Sequence, residues 1–396
     1  MTSAASRRSF LRSVGIGAAT LGAVSSSTAA EKPIQGFEET PRDPGASQGW
    51  KPVSDRKLRV GIVGYGVCRF GASFGFQEHP NVEVVAVSDL LPDRCAELAK
   101  QCRCAKTYPS LETLVQDDRI EAVFVATDAP SHARHVAEVL RHGKHAASAV
   151  PAVYGSLEDA DMLFEAVKRS GLKYMLFETS YFHEDLHAMR ELYREGKFGK
   201  LVYSEGEYYH YMPEPIDSYQ GWRIGLPPQW YPTHSNAYYV GVTGRSFTEV
   251  SCLGMPSVLD WLQPQNNRYQ NPFGTEIALL RTSEGGMSRM AVSWDTPGFS
   301  GEMGRIRGQK GTYYEEFAGL EKPALIRRPA LPPNVAAGGH GGSHGYLMDE
   351  FVTAILQDRK PLVDVAQALS MTVAGIVAHQ SALKGGETMK IPQYEI

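Results

Sequence analysis

The chain has 396 residues, 42% of them hydrophobic and 21% charged, with a formal net charge of -4. That is globular composition, with enough length for two domains that each bury a core, and it gives no electrostatic reason to bind nucleic acid or anionic lipid. Five cysteines without a C-x-x-C pair argue against a disulfide framework or a structural zinc site.

Residues 6–12 read SRRSFLR, followed by SVGIGAATLGAVSSSTAA and then Glu31. A basic start, a weakly apolar run and small residues at its end describe an export signal over 1–30. Arg7 and Arg8, with Phe10 and Leu11 behind them, have the twin-arginine form. The expected partner is the twin-arginine export machinery, and the expected location is periplasmic or extracellular. The apolar run is too short and too rich in Ala, Gly and Ser for a stable membrane span. Residues 31–57, polar and rich in Pro and Gly, read as a linker or surface arm.

From residue 58 the pattern alternates. KLRVGIVGYG, VEVVAVSD, EAVFVAT and YMLFETS are short apolar strands. DRCAELAKQC, SHARHVAEVLRHG, SLEDADMLFEAVKRSG and HEDLHAMRELYREG have helical spacing, with Ser156 as an N-cap. Strands alternating with helices imply βαβ units and a parallel sheet, here a Rossmann domain over 58–178. Beyond it, LVYSEGEYYHYM, TEIALLRTS, MSRMAVSWDT and RIRGQKGTYYEEF read as longer strands with turn residues between them. The expected second domain, 179–396, is α+β with a large, mostly antiparallel open sheet. Two helices near 343–357 and 364–383 pack back on it.

Gly64 and Gly66 follow the first strand where a helix should begin, a place that lets backbone approach a pyrophosphate. Asp89 ends the second strand 23 residues after Gly66, where an acid accepts ribose hydroxyls and disfavours a 2′-phosphate. NAD is therefore expected over NADP. Arg69 stands where G-x-G-x-x-G has its third glycine, which predicts a modified turn in which Arg69 itself meets phosphate.

GIVGYG, VSD, AVFVATDAPSHARHVAEVLRHGKH and the late HGGSHGYLMDEFV together resemble the glucose–fructose oxidoreductase / inositol dehydrogenase (Gfo/Idh/MocA) family. The resemblance implies nicotinamide held between the domains, beside Thr127 to Pro130 and the segment after His145, and adds Val67, Thr127, His132 and Val150 to the expected cofactor-binding set. It also implies an open sheet that contributes to the site and to homo-oligomer contacts. Where the family commonly has Glu-Lys-Pro, this chain has Ala149-Val150-Pro151, so the lysine beside the substrate hydroxyl is missing. Val150-Pro151-Ala152, Met175-Leu176 with Tyr181, and Tyr231-Pro232-Thr233-His234 are similar to the branch of NAD-dependent N-acetylgalactosaminidases.

Tyr231 and His234, three apart at a helix start, place both rings on one side, where histidine moves a proton and tyrosine polarises an oxygen. His234, Tyr231 and Tyr181 are the catalytic candidates, with either Tyr181 or His234 as base. Trp222, Arg223 and His344 are candidates for binding a carbohydrate or glycoside; His340 lies in the same glycine-rich stretch. His183-Glu184-Asp185-Leu186-His187 satisfies H-E-x-x-H, but no third ligand follows and the acids suit a helix start, so no metal is expected. Outside the cytoplasm a released NADH has no obvious means of reoxidation. The expectation is a tightly bound NAD recycled within a redox-assisted glycoside cleavage. A sugar oxidoreductase and a catalytically inactive carbohydrate-binding or sensing protein are the alternatives.

Overall fold

The computed structural model describes Thr40 and residues 43–395. The export signal read over 1–30 and the first part of the arm lie outside these residues. From Asp43 the arm runs over the surface, where Leu331 N–H donates to the Ala46 carbonyl at 2.8 Å and Trp50 meets His79 edge-on.

The first sheet follows from apolar runs too continuous to leave a face in water. In chain order come β1 (Leu58–Val63), the single turn α1 (Phe70–Ser73), β2 (Val82–Ser88), α2 (Pro92–Gln101), β3 (Thr107–Tyr108), the single turn α3 (Leu111–Leu114), β4 (Ala122–Val125), α4 (His132–Arg141), β5 (His145–Ser148), α5 (Leu157–Ser170) and β6 (Tyr174–Leu176). The strands pair in parallel in the order β3-β2-β1-β4-β5-β6. That order reverses direction at β1, which opens a crevice beyond the strand ends there. Ser156 Oγ accepts from Asp159 N–H at 3.0 Å and starts α5, and Gly171 ends it at φ 64.

The second unit begins with α6 (Glu184–Arg194) and β7 (Leu201–Tyr209), then α7 (Thr233–Thr243), β8 (Phe247–Pro256), β9 (Phe273–Thr282), β10 (Met287–Ser293), β11 (Gly301–Gly308), β12 (Gly311–Tyr314), β13 (Glu316–Gly319), α8 (His344–Leu356), α9 (Val365–Leu383) and β14 (Met389–Lys390). Its eight-stranded sheet has the order β13-β12-β11-β7-β10-β9-β8-β14, antiparallel except where β7 meets β10. Along β9, Glu276, Ala278 and Leu280 are buried while Ile277, Leu279 and Arg281 are exposed, the alternation of a sheet covered on one face. α7 covers that inner face at very short range: a Cβ at Gly206 would stand 2.0 Å from the Ser235 carbonyl oxygen. α9 is tied to the sheet by a buried pair, His379 Nδ1 and Glu276 Oε1 at 2.8 Å, and its Met371 carbonyl accepts from Asn236 of α7.

Two expectations are corrected, and a strand that had not been read is added. The helix after the phosphate turn begins only at Phe70 and lasts one turn. RIRGQKGTYYEEF is three strands, because the chain turns at Gln309–Lys310 and again at Glu315, where φ is 64. β8 lacks a clean sequence alternation, yet β9 and β14 pair with it on either side.

Candidate active site

The cradle is built where β1 ends. Gly64 sits at φ 101, and a Cβ there would be 2.2 Å from the Ala126 carbonyl oxygen at the end of β4. Only glycine lets these two strand ends close up. A Cβ at Gly66 would instead meet nothing within 4 Å, so that backbone faces open space. Asp89 holds the turn through both oxygens, accepting Tyr65 N–H at 2.7 Å and Leu91 N–H at 2.8 Å. Arg69 does not enter the cradle: it is exposed, outside the lining, and left-handed at φ 50. The task of a third glycine falls to Gly71, where a Cβ would stand 2.4 Å from the Gly64 carbonyl oxygen.

From the cradle one crevice runs past Val67, Asp89 and Thr127 to Val150, Trp222, Arg223 and Tyr231. His132 lines it while its ring lies between the carbonyls of Pro151 (2.8 Å) and Thr127 (3.1 Å), tying two of the loops together. The expected cofactor residues, Arg69 excepted, thus share one wall. This shape suits a dinucleotide: open backbone at Gly66 for the pyrophosphate and a strand-end carboxylate for a ribose. A second cavity adjoins the first. The two share Cys68, Phe70, Ala149, Val150, Arg223 and Tyr231, and the second adds Thr179, Tyr208, His210, His234, Trp294 and His340.

His234, in the first turn of α7, is the chemical centre of that second cavity. Its Nδ1 lies 2.8 Å from Glu178 Oε1 and 3.6 Å from Glu302 Oε1, which leaves Nε2 as the ring nitrogen for the cavity. Both acids are themselves held: Ser180 N–H donates to Glu178 at 3.0 Å, and Ser180 Oγ donates to Glu302 at 2.6 Å. Burial opposes charge on His234, but the two carboxylates outweigh it and hold its pKa up at about 9. Burial likewise opposes the Glu178 carboxylate, and the imidazolium beside it brings its pKa below the ordinary value. The donor atoms of Glu178, His234 and Glu302 lie within 4.8 Å of one another. At 2.8 Å the Glu178–His234 contact is a hydrogen-bond length, so what the two hold in common is a proton.

Among the other candidates, Tyr231 is buried with its hydroxyl donating to the Val150 carbonyl at 3.2 Å, and burial keeps the phenol protonated. Its ring lies nearly parallel to that of Trp222. Tyr181 is brought elsewhere: it lines neither cavity, and its hydroxyl donates to Gln367 on α9. His344 stands behind the wall, between the Ser73 carbonyl and His340, with burial pushing its pKa down to about 4. His340 takes the lining position instead. His183 and His187 of H-E-x-x-H turn to different backbone carbonyls, those of His340 and Arg327.

Glu178 and Glu302 had not been anticipated. Glu178 follows β6, and acids at the carboxyl ends of parallel strands are placed for ligands, a usable signal. Glu302, on β11, carries no local signal at all. The pair has a measurable consequence. Neutral imidazole grows with pH, so a step that needs base at Nε2 rises about tenfold per pH unit and levels above about 9. In Glu178→Gln the nearer of the two charges that stabilise imidazolium is gone, and the inflection in kcat/KM moves to lower pH. An unmoved inflection would remove Glu178 from this role.

Residues 58–178 match the family model described as "Oxidoreductase family, NAD-binding Rossmann fold" (GFO_IDH_MocA). The chain carries a Gfo/Idh/MocA domain. Over most of its length the chain is similar to proteins named glycosyl hydrolase family 109. With protein 2 of Akkermansia muciniphila it is 24% identical over 98% of this chain and 96% of that one. With the protein of Streptomyces niveus it is 24% identical over 89% and 81%. The fold is that of levoglucosan dehydrogenase in complex with NADH and levoglucosan, at TM-score 0.70 and 18% identity over 85% of this chain and 100% of that one. It is also that of scyllo-inositol dehydrogenase from Lactobacillus casei with NAD(H) and scyllo-inositol, at TM-score 0.65 and 17% identity over 85% and 99%.

Proposed function

We propose that this chain is an exported enzyme that cleaves a glycoside by transient oxidation, holding one NAD tightly throughout. The observation that carries the reading is the position of His234. A strongly basic imidazole, backed by Glu178 and Glu302, opens on the cavity that adjoins the dinucleotide crevice, while Val150 occupies the place of a lysine. The relatives named glycosyl hydrolase family 109 support a glycoside as substrate.

Bound NAD supplies a hydride acceptor and, later in the same cycle, the donor that returns the hydride. His234 takes the proton of the reacting hydroxyl, that at C3, and Glu178 stabilises the imidazolium formed. The C3 ketone acidifies the neighbouring C2–H. Among the imidazoles lining the cavity, His234 alone is held above its ordinary basicity, whereas burial pushes His210 down to about 4. The same imidazole, after handing its first proton to water, therefore takes the second. The C1 substituent leaves, water adds across the double bond, and the restored hydroxyl recovers its proton. Tyr231, tied to the Val150 carbonyl, and Trp222 behind it form the apolar wall against which the sugar ring lies.

Because the redox change closes within one turnover, the scheme works without a supply of fresh cofactor. That accords with the twin-arginine form of residues 6–12, and with delivery to the periplasm or beyond after folding around NAD. The outer face of the second sheet exposes Leu253, Met255, Ile277, Leu279 and Met287 in register, a surface suited to a second copy of the chain. Among the described residues no helix is long and apolar enough to cross a membrane.

Cleavage run in heavy water tests the scheme. The expected product carries deuterium at C2, and denatured protein releases NAD. Cleavage with C2–H intact would overturn it. A lactone or keto-sugar, with reduced cofactor accumulating, would instead mark a sugar oxidoreductase, the reading favoured by the likeness to levoglucosan dehydrogenase.

A further inference from the structure

Arg223 lines both cavities at the place where they meet. Its guanidinium lies over the Trp222 indole, 4.1 Å from the ring centroid, which fixes the plane of its donor fork. Nη2 reaches Cys68 Sγ at 3.5 Å, and no carboxylate pairs with the side chain among the described residues. Cys68 is no counter-ion, because burial raises its thiol pKa and keeps it neutral. The loop's own acid, Asp217, turns to Arg94 instead.

The rest of the second cavity has the same polarity. No Asp or Glu lines it among the described residues. The two acids nearest the chemistry stand behind His234, spent on Nδ1 and on Ser180. Tyr231 donates its hydroxyl hydrogen to the Val150 carbonyl, and Tyr208 shares a hydrogen bond with His210 at 3.1 Å. A neutral sugar presents hydroxyls that need acceptors as well as donors. Arg223 is a donor only, and His234 in its charged form is another. A guanidinium without a carboxylate partner, in a cavity that no acid lines among the described residues, matches an acceptor-only group.

We infer that Arg223 forms an anion subsite in the substrate cavity, and that the substrate carries a carboxylate of the uronic-acid kind beside its reacting carbons. This rests on the glycoside reading above and narrows it. The planar carboxylate engages the guanidinium fork, with Trp222 fixing the angle. The junction position places that contact next to the site of oxidation, so the anion also sets the register of the ring.

The test is equilibrium binding to the NAD-loaded protein of matched pairs: glucuronate with glucose, galacturonate with galactose, mannuronate with mannose. In at least one pair the uronate binds tenfold or more tightly than its parent, the range of a charge-assisted hydrogen bond. Arg223→Gln erases that preference and keeps its bound NAD, while Arg223→Lys, retaining charge without the fork, keeps part of it. If no uronate exceeds its parent, including the case where none binds, the subsite is wrong. If Arg223→Gln loses NAD while the uronate preference persists, the guanidinium serves a cofactor phosphate and the proposal falls. Binding needs no turnover, so the two readings fail separately: an aryl uronoside that binds but is not cleaved would overturn the glycosidase reading and leave this one standing.

Discussion

Glutamine at position 234 lowers kcat by roughly two to four orders of magnitude, the usual worth of a positioned acid–base group, while the purified protein keeps its NAD. The reason lies in which nitrogen does what. Nδ1 faces Glu178 at 2.8 Å, and a glutamine amide can still donate to that carboxylate, so the buried acid is not stranded. Proton transfer at the Nε2 position is lost, because an amide does not titrate. Alanine is the poorer probe: it would leave the buried Glu178 and Glu302 without the imidazole between them, and the two would come to share a proton. Activity and NAD content measured on one preparation separate the outcomes. A variant with normal turnover would reduce His234 to a packing residue.

Valine at position 66 abolishes NAD binding without disturbing the fold. A Cβ at Gly66 points into open space, so the free protein has room for the side chain. The same space is where a pyrophosphate approaches backbone, and two methyl groups there displace it. Released NAD falls below detection, and thermal stability drops only by the ligand's own contribution, about 3–4 kcal/mol for a site filled at 100–1,000 times its Kd. The contrast with Gly64 is diagnostic. Any side chain there would be driven to 2.2 Å from the Ala126 carbonyl at a positive φ, so Gly64→Val damages the domain itself. A Gly66→Val protein that still carries an equivalent of NAD would show that the cofactor is held elsewhere.

The parallel sheet was legible because its cause is local. β1, β2 and β4 are runs of Val, Ile, Ala and Phe with no polar face, and the glycines and Asp89 stand at their ends. Arg69 misled because a motif counts positions, whereas the chain counts distances: α1 starts late, and Gly71 arrives at the close approach instead. Tyr181 and His344 have the right chemistry on the wrong side of a wall. Each sits in or beside a short turn, where tertiary packing, not periodicity, sets the direction of a side chain. Tyr181 is drawn to Gln367 and His344 to Ser73.

Read alone, the amino-acid order determined the alternating strands and helices, the glycine cradle with its acid, the missing lysine and the identity of His234 as the acid–base candidate. The first two depend on neighbours along the chain, through backbone geometry or a spacing of a few residues, and the last two on the resemblance to the Gfo/Idh/MocA family. Only the folded structure decided what His234 is, because its basicity comes from Glu178 beyond β6 and Glu302 on β11. Those carboxylates act through space across a buried gap of a few ångströms. Coulomb interaction in such a place depends on separation and burial, and neither quantity is written in the order of residues.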